Sequence, residues 1–141
     1  MYTYKYPRPA LTADVVLLDV QCREVLLIRR GHSPFKDCWA LPGGFFDFAD
    51  ASIEAAAHRE LQEETGIVGV ELEELCTASR IGRDPRGRTV SVVFAGLVAK
   101  GDISAKGADD AREARWFPVG ALPPLAFDHA EIIQKAINRY M

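Results

Sequence analysis

The sequence predicts an α/β fold in which a mixed β-sheet carries helices on both faces. Three observations lead there. Runs dense in Val, Ile and Leu come before and between two segments of helical pattern. Breaks containing Gly or Pro separate most of the runs, and Gln21-Cys22-Arg23 turns between the first two. The length of 141 residues, with 48% apolar and 26% charged side chains, suits one domain with a sizeable core, so residues 1–141 are expected to form a single unit.

Composition excludes several classes. A net charge of −3 implies no general affinity for nucleic acid. Cys22, Cys38 and Cys76 are scattered, odd in number and without metal-ligand spacing, which points to buried or half-buried free thiols in a reducing compartment. The first nine residues lack the apolar core of a signal peptide, and no run is long enough to span a membrane. A cytoplasmic location is the expectation.

The elements follow in order. Tyr2, Tyr4 and Tyr6 alternate, so an extended arm puts three rings on one face; they cover a partner, stack on a base, or pack loosely. Residues 10–20 form a strand by their Val and Leu content, and Asp14 inside it suits a loop or a ligand better than a core. Residues 24–29 complete a hairpin. Residues 29–37 are a basic loop, in which Arg29 or Arg30 either meets a phosphate or carries solvated charge; His32 reads as a surface residue. Residues 39–41 are a short buried strand. Pro42-Gly43-Gly44 reads as a sharp turn whose bare backbone lets a ligand come close.

A helix is predicted over 52–65. Asp50 or Ser52 can cap it, four Ala and no Pro sustain it, and Gly66 stops it. At about 100° per residue, Glu60, Glu63 and Glu64 fall within an arc of about 100°. Ile53, Ala56 and Ala57 share that side, and Ala55, His58 and Gln62 face the water. Three carboxylates near the negative end of a helix repel one another. Arg59 offsets one charge; a divalent metal offsets more, and oxygen-only donors suit Mg²⁺ or Mn²⁺. The competing reading is a solvated acidic helix end.

Residues 68–81 read as a long strand, 82–88 as a basic turn and 89–99 as a strand. Arg80, Arg83, Arg86 and Arg88 offer guanidinium forks suited to phosphates, or simply charge a hairpin tip. Residues 100–112 read as a loop, with Asp109, Asp110 and Glu113 as a second acidic group. A short strand at 114–118 and a connector at 123–127 follow. Asp128 then caps a helix over 129–139 whose Ile132, Ile133 and Ile137 face the core.

The run Arg59-Glu60-Leu61-Gln62-Glu63-Glu64-Thr65-Gly66-Ile67 resembles the second half of the Nudix hydrolase signature, and Leu41-Pro42-Gly43-Gly44-Phe45 resembles the approach to its first half. The family spacing puts a Glu seven residues before the Arg. Here that count falls on Ala51, so the chain has one extra residue and Asp50 stands in for the Glu, supporting loop and helix. Residues 6–12, 30–45, 83–88 and 113–117 look like the ADP-ribose pyrophosphatase branch. The resemblance implies a Nudix-like α/β/α sandwich. It implies Mg²⁺ (or Mn²⁺) held by Glu60, Glu63, Glu64 and the Gly44 carbonyl. It implies a catalytic set of Glu64, Glu63, Glu60 and Arg59, with Glu64 orienting or deprotonating the water and Asp109, Asp110 and Glu113 as rivals. Arg29, Arg30, Phe46, Arg83, Arg86 and Arg88 are the candidate substrate contacts.

The activity so implied is hydrolysis of a nucleoside diphosphate linked to another group, ADP-ribose first, giving AMP and ribose 5-phosphate. Oxidised nucleoside triphosphates or nucleotide sugars are the alternative substrates. A domain that senses ADP-ribose without cleaving it is the non-enzymatic alternative; such regulators carry a DNA-binding extension, for which 141 residues are expected to leave no room. The partners expected are a small-molecule nucleotide and a second copy of the chain, with no nucleic acid and no membrane.

Overall fold

Strand β1 (Ala10–Asp19) is the spine of the sheet because it is apolar on both faces. Ala13, Val15 and Leu17 enter one buried cluster, and Val16 and Leu18 enter the other. Helix α1 (Ile53–Thr65) covers the first with Ala56, Ala57 and Leu61. Helix α2 (His129–Tyr140) covers the second with Ile132, Ile133 and Ala136. The computed structural model, which describes residues 3–103 and 111–141, therefore has the mixed sheet between helices that the sequence predicts.

The other strands among the described residues are β2 (Glu24–Arg30), β3 (Trp39–Ala40), β4 (Gly43–Phe45), β5 (Glu73–Ala78), β6 (Thr89–Leu97) and β7 (Ala111–Pro118). The order is β3-β2-β1-β6-β5, with β4 added to β1 and β7 to β2. β1 and β6 are parallel along the whole run from Ala10↔Thr89 to Leu18↔Leu97. On its other side β1 has two partners in turn. It meets β2 only at Leu18↔Val25 and Asp19↔Glu24, then pairs β4 at Thr12, Ala13 and Asp14. The sheet thus forks, and the segment 39–45 crosses the fork from β2 to β1.

The structure corrects several expectations and agrees with others. Gly43 and Gly44 lie on a strand, not in a turn, and neither has positive φ. β5 is shorter than residues 68–81, and Gly69 at φ 75° stands outside strand space near the start of that run. β7 begins earlier than residue 114, since Ala111 pairs with Arg30. Ser52, not Asp50, caps α1, accepting from the Ala55 N–H at 3.0 Å, and Gly66 ends the helix at φ 78°. Asp128 stands at the N-cap of α2 but makes no capping bond. Cys22 is exposed, whereas Cys38 and Cys76 are half-buried, and all three are free. No helix among the described residues is long and apolar enough to cross a membrane.

Candidate active site

A cavity of about 420 Å³ opens where the sheet forks, a size that suits a small molecule. Asp14 lines it from β1, the glycine pair from β4, and Glu60, Glu63 and Glu64 from α1. Successive strand residues face opposite sides of a sheet, and at the glycine pair both sides are occupied by acids. A Cβ on Gly43 would lie 2.1 Å from Asp14 Oδ1, and one on Gly44 would lie 2.6 Å from Glu60 Oε1. Gly43 is needed for space, since its Cβ would also lie 2.5 Å from the Ala13 carbonyl oxygen, and Gly44 leaves room for the Glu60 carboxylate. Their bare backbone lets carboxylates from the two faces approach each other.

The acidic wall is organised by Arg59. Its Nε and Nη2 donate to the two oxygens of Asp50 at 2.7 and 2.9 Å, a bidentate pair. Its Nη1 donates to Glu60 at 2.8 Å and Glu63 at 3.2 Å, and its Nη2 also reaches the Phe45 carbonyl at 3.1 Å. Hydrogen bonding from Arg59 holds the Asp50 carboxyl below the usual carboxylate range. Glu64 is buried and accepts from the Gly43 N–H at 2.7 Å. Burial pushes its carboxyl up to about 8, with Glu60 and Asp14 adding repulsion. Burial likewise raises Glu60, and lifts Asp14 to about 7.

The opposite wall is basic, but its arginines are not equivalent. Arg83 is almost sealed, its side chain 4% exposed. Its Nε and Nη2 grip Asp128 at 2.9 and 2.7 Å, and its Nη1 donates to Ser91 at 2.9 Å. It lines the cavity with its hydrogen-bonding edge already engaged. Arg86 is held by buried Asp84 through Nε and Nη2 at 3.1 and 2.9 Å, and lies over the rings of Phe45 and Phe127. Arg30 donates through Nε to the Pro34 carbonyl at 2.7 Å and stacks on Phe127, while its Nη2 is buried without a protein partner.

Of the candidate substrate contacts, Arg30, Phe46, Arg83 and Arg86 line the cavity. Arg29 and Arg88 do not; Arg29 turns to Asp37 and Glu113, at 3.9 and 3.5 Å. Glu113 lies outside the cavity lining too, bound to Arg29 and Arg115. Asp109 and Asp110 lie outside the described residues, as does Tyr2. His32, expected on the surface, is exposed and also lines the cavity. Asp14 is the residue whose oddity in an apolar strand already pointed to a ligand. His129 was missed. It is buried, and it shares the helix face of Ile132, Ile133 and Ala136, a spacing that marks it as inward-facing.

Among the described residues no three His, Cys, Asp or Glu side chains converge as a ready metal cage. The donor set nonetheless fits a hard divalent cation in kind. It consists of oxygens only, it is partly buried, and its acids raise one another's proton affinity, which a cation would relieve. Glu60 also lies directly against the Gly44 backbone.

Comparison with known proteins gives a consistent result. A family model described as the NUDIX domain matches residues 8–136. The ADP-ribose pyrophosphatase of Methanocaldococcus jannaschii is 42% identical over 129 residues, covering 92% of this chain and 73% of that protein. The ADPR responsive transcriptional repressor NtrR of Acinetobacter baylyi is 37% identical over 139 residues, covering 95% of this chain but only 55% of the repressor. Among solved structures, the NUDIX domain of Shewanella oneidensis NrtR complexed with ADP ribose superposes with a TM-score of 0.90 at 35% identity, covering 99% of this chain and 94% of that one.

Proposed function

The chain belongs to the NUDIX family, and from that premise we propose that it hydrolyses the diphosphate bond of ADP-ribose to AMP and ribose 5-phosphate, with Mg²⁺ or Mn²⁺ as cofactor. One observation carries the reading: a single cavity has mutually repelling, partly buried carboxylates on one wall and arginines on the other, with bare glycine backbone between. Such a cavity takes an anionic ligand only together with a cation. The likeness to the archaeal ADP-ribose pyrophosphatase supports the choice of ligand.

In this proposal Glu60, Glu63, Glu64 and the Gly44 carbonyl hold the metal. The bound ion would neutralise the diphosphate and act as a Lewis acid on it. The other roles belong to the chain. Arg59 aims Glu60 and Glu63 while leaning on Asp50. The Gly43 N–H orients Glu64, which, ionised with the cation in place, would orient or deprotonate the attacking water. Arg30 and Arg86 meet the phosphates, and Phe46 contacts the rest of the ligand. We also propose a homodimer, in which exposed Phe45, Phe46, Phe48, Tyr4 and Tyr6 lie at or near the contact. A light-scattering mass near 15.6 kDa with full activity would reject it.

A second reading is sensing of ADP-ribose without turnover. It is favoured by the likeness to a repressor and to an ADP-ribose-bound domain. A panel of ADP-ribose, nucleoside triphosphates and nucleotide sugars, assayed with Mg²⁺, with Mn²⁺ and with chelator, separates the two. Release of AMP from ADP-ribose is expected. Binding of ADP-ribose with no product under any metal would favour sensing.

A further inference from the structure

The segment that carries Gly43 and Gly44 into the cavity changes partners at Leu41–Pro42. Upstream, Trp39 is bridged to the stretch before α2: its N–H donates to the Pro124 carbonyl at 3.1 Å, and its carbonyl accepts from Ala126 at 2.8 Å. The next donor on that edge, two residues on, is the Leu41 N–H. The stretch opposite has by then turned away, with Phe127 at φ 52° and the His129 N–H bonded to the Ala126 carbonyl. The Leu41 N–H donates instead to Nδ1 of His129, at 3.0 Å and in a buried setting. An imidazole thus takes the place of a ladder carbonyl. Pro42, which has no N–H, adds one further tie, its carbonyl accepting from Val15 at 2.8 Å.

We propose that His129 is a positioning residue: its Nδ1 fixes Leu41 at the crossing, and through it the Gly43–Gly44 backbone against Glu64 and Glu60. The consequence for metal and turnover rests on the hydrolase reading above; the positioning itself does not. The Gly43 N–H that orients Glu64 at 2.7 Å is two residues from the Leu41 N–H that His129 holds. Slack at one is transmitted to the other along a short, paired backbone. For Nδ1 to accept, the ring must carry its proton on Nε2. Burial supports the neutral ring, and the charged groups that act on it are Asp128, Arg83 and Arg30.

Two variants isolate the acceptor. In His129→Asn the amide oxygen can sit near the Nδ1 position. In His129→Gln the amide reaches toward Nε2 and leaves the Leu41 N–H without its acceptor. Both bury a similar polar group. Mn²⁺ affinity measured by electron paramagnetic resonance without substrate, and kcat and KM for ADP-ribose, are compared with wild type. The Asn variant is expected within about threefold of wild type, and the Gln variant to lose about tenfold in Mn²⁺ affinity and kcat with KM nearly unchanged, the scale of one lost buried hydrogen bond. Equal behaviour of the two variants would overturn the proposal. If wild type binds ADP-ribose without cleaving it, Mn²⁺ affinity still decides. Amide exchange at Leu41 and Gly43 reads the same contrast with neither metal nor substrate. The wild-type protein supplies an independent check that needs no variant to fold: nitrogen chemical shifts of His129 should show Nδ1 unprotonated, and a protonated Nδ1 sinks the idea.

Discussion

The two walls of the cavity use arginine in opposite ways. Arg59 faces an excess of acid. It serves Asp50, Glu60 and Glu63 at once, its side chain stays 29% exposed, and Glu64 beside it takes nothing from it. Arg83 is hydrogen-bonded to one acid, paired through two nitrogens to Asp128 and sealed at 4% exposure, with Asp14 and Asp84 acting on it only at longer range. The first arrangement leaves unmet demand for positive charge, and the second leaves none. A charged residue in a cavity wall is therefore read by what its partners leave over, not by its presence there.

If that contrast is right, substitutions on the two walls should fail differently. Arg83→Met is expected to cost the most stability, about 3 kcal/mol, because Asp128 would keep its charge in a largely buried place without a partner. Thermal and urea denaturation measure this. A variant of normal stability but much raised KM would mean that Arg83 works on the ligand after all. Glu64→Gln should do the reverse. Its neutral amide is nearly isosteric with a carboxyl that burial already holds toward the protonated form, so the fold should persist. Turnover should fall at least about a hundredfold, the usual loss for a group that assists proton transfer or stabilises charge at the reacting centre. Near-wild-type kcat would remove Glu64 from the chemistry. The smallest effect is expected at Asp50. Asp50→Ala should cost about 1–2 kcal/mol, since two hydrogen bonds from Arg59 and one from the Asp47 N–H are lost while Arg59 keeps Glu60 and Glu63. A modest drop in kcat should accompany it. An unchanged melting temperature would show that the bidentate pair is idle.

What could be read from the chain alone follows the range of the physics. The clustering of Glu60, Glu63 and Glu64 is a property of helix period, and the sequence shows it directly. The stop at Gly66 is equally local. The glycine pair was visible as a motif, but its cause was not. The space constraint at Gly43 comes from Asp14, about thirty residues earlier, through the pairing of β4 with β1. Arg83 and Arg86 look alike in sequence; one is engaged by Asp128 forty-five residues away and the other by Asp84 two residues away. Asp128 illustrates the same limit. A residue suited to cap a helix was taken by a distant guanidinium, which offers a stronger, charge-assisted bond.

The forked sheet has a consequence for how this cavity can change shape. Many ligand-binding proteins clamp their guest by pivoting two lobes about a hinge. Here the two prongs of the fork are strands of one sheet, tied by the crossing segment and by continuous pairing of β1 to β6. They have no interlobe joint about which to swing. Discrimination between guests must then come from a fixed mould, with adjustment confined to the rim, where Phe46 and Arg86 sit on connecting loops. Such a mould spends little free energy on reorganisation, and it leaves new specificities to be acquired at the rim while the acidic wall stays anchored on α1 against the sheet.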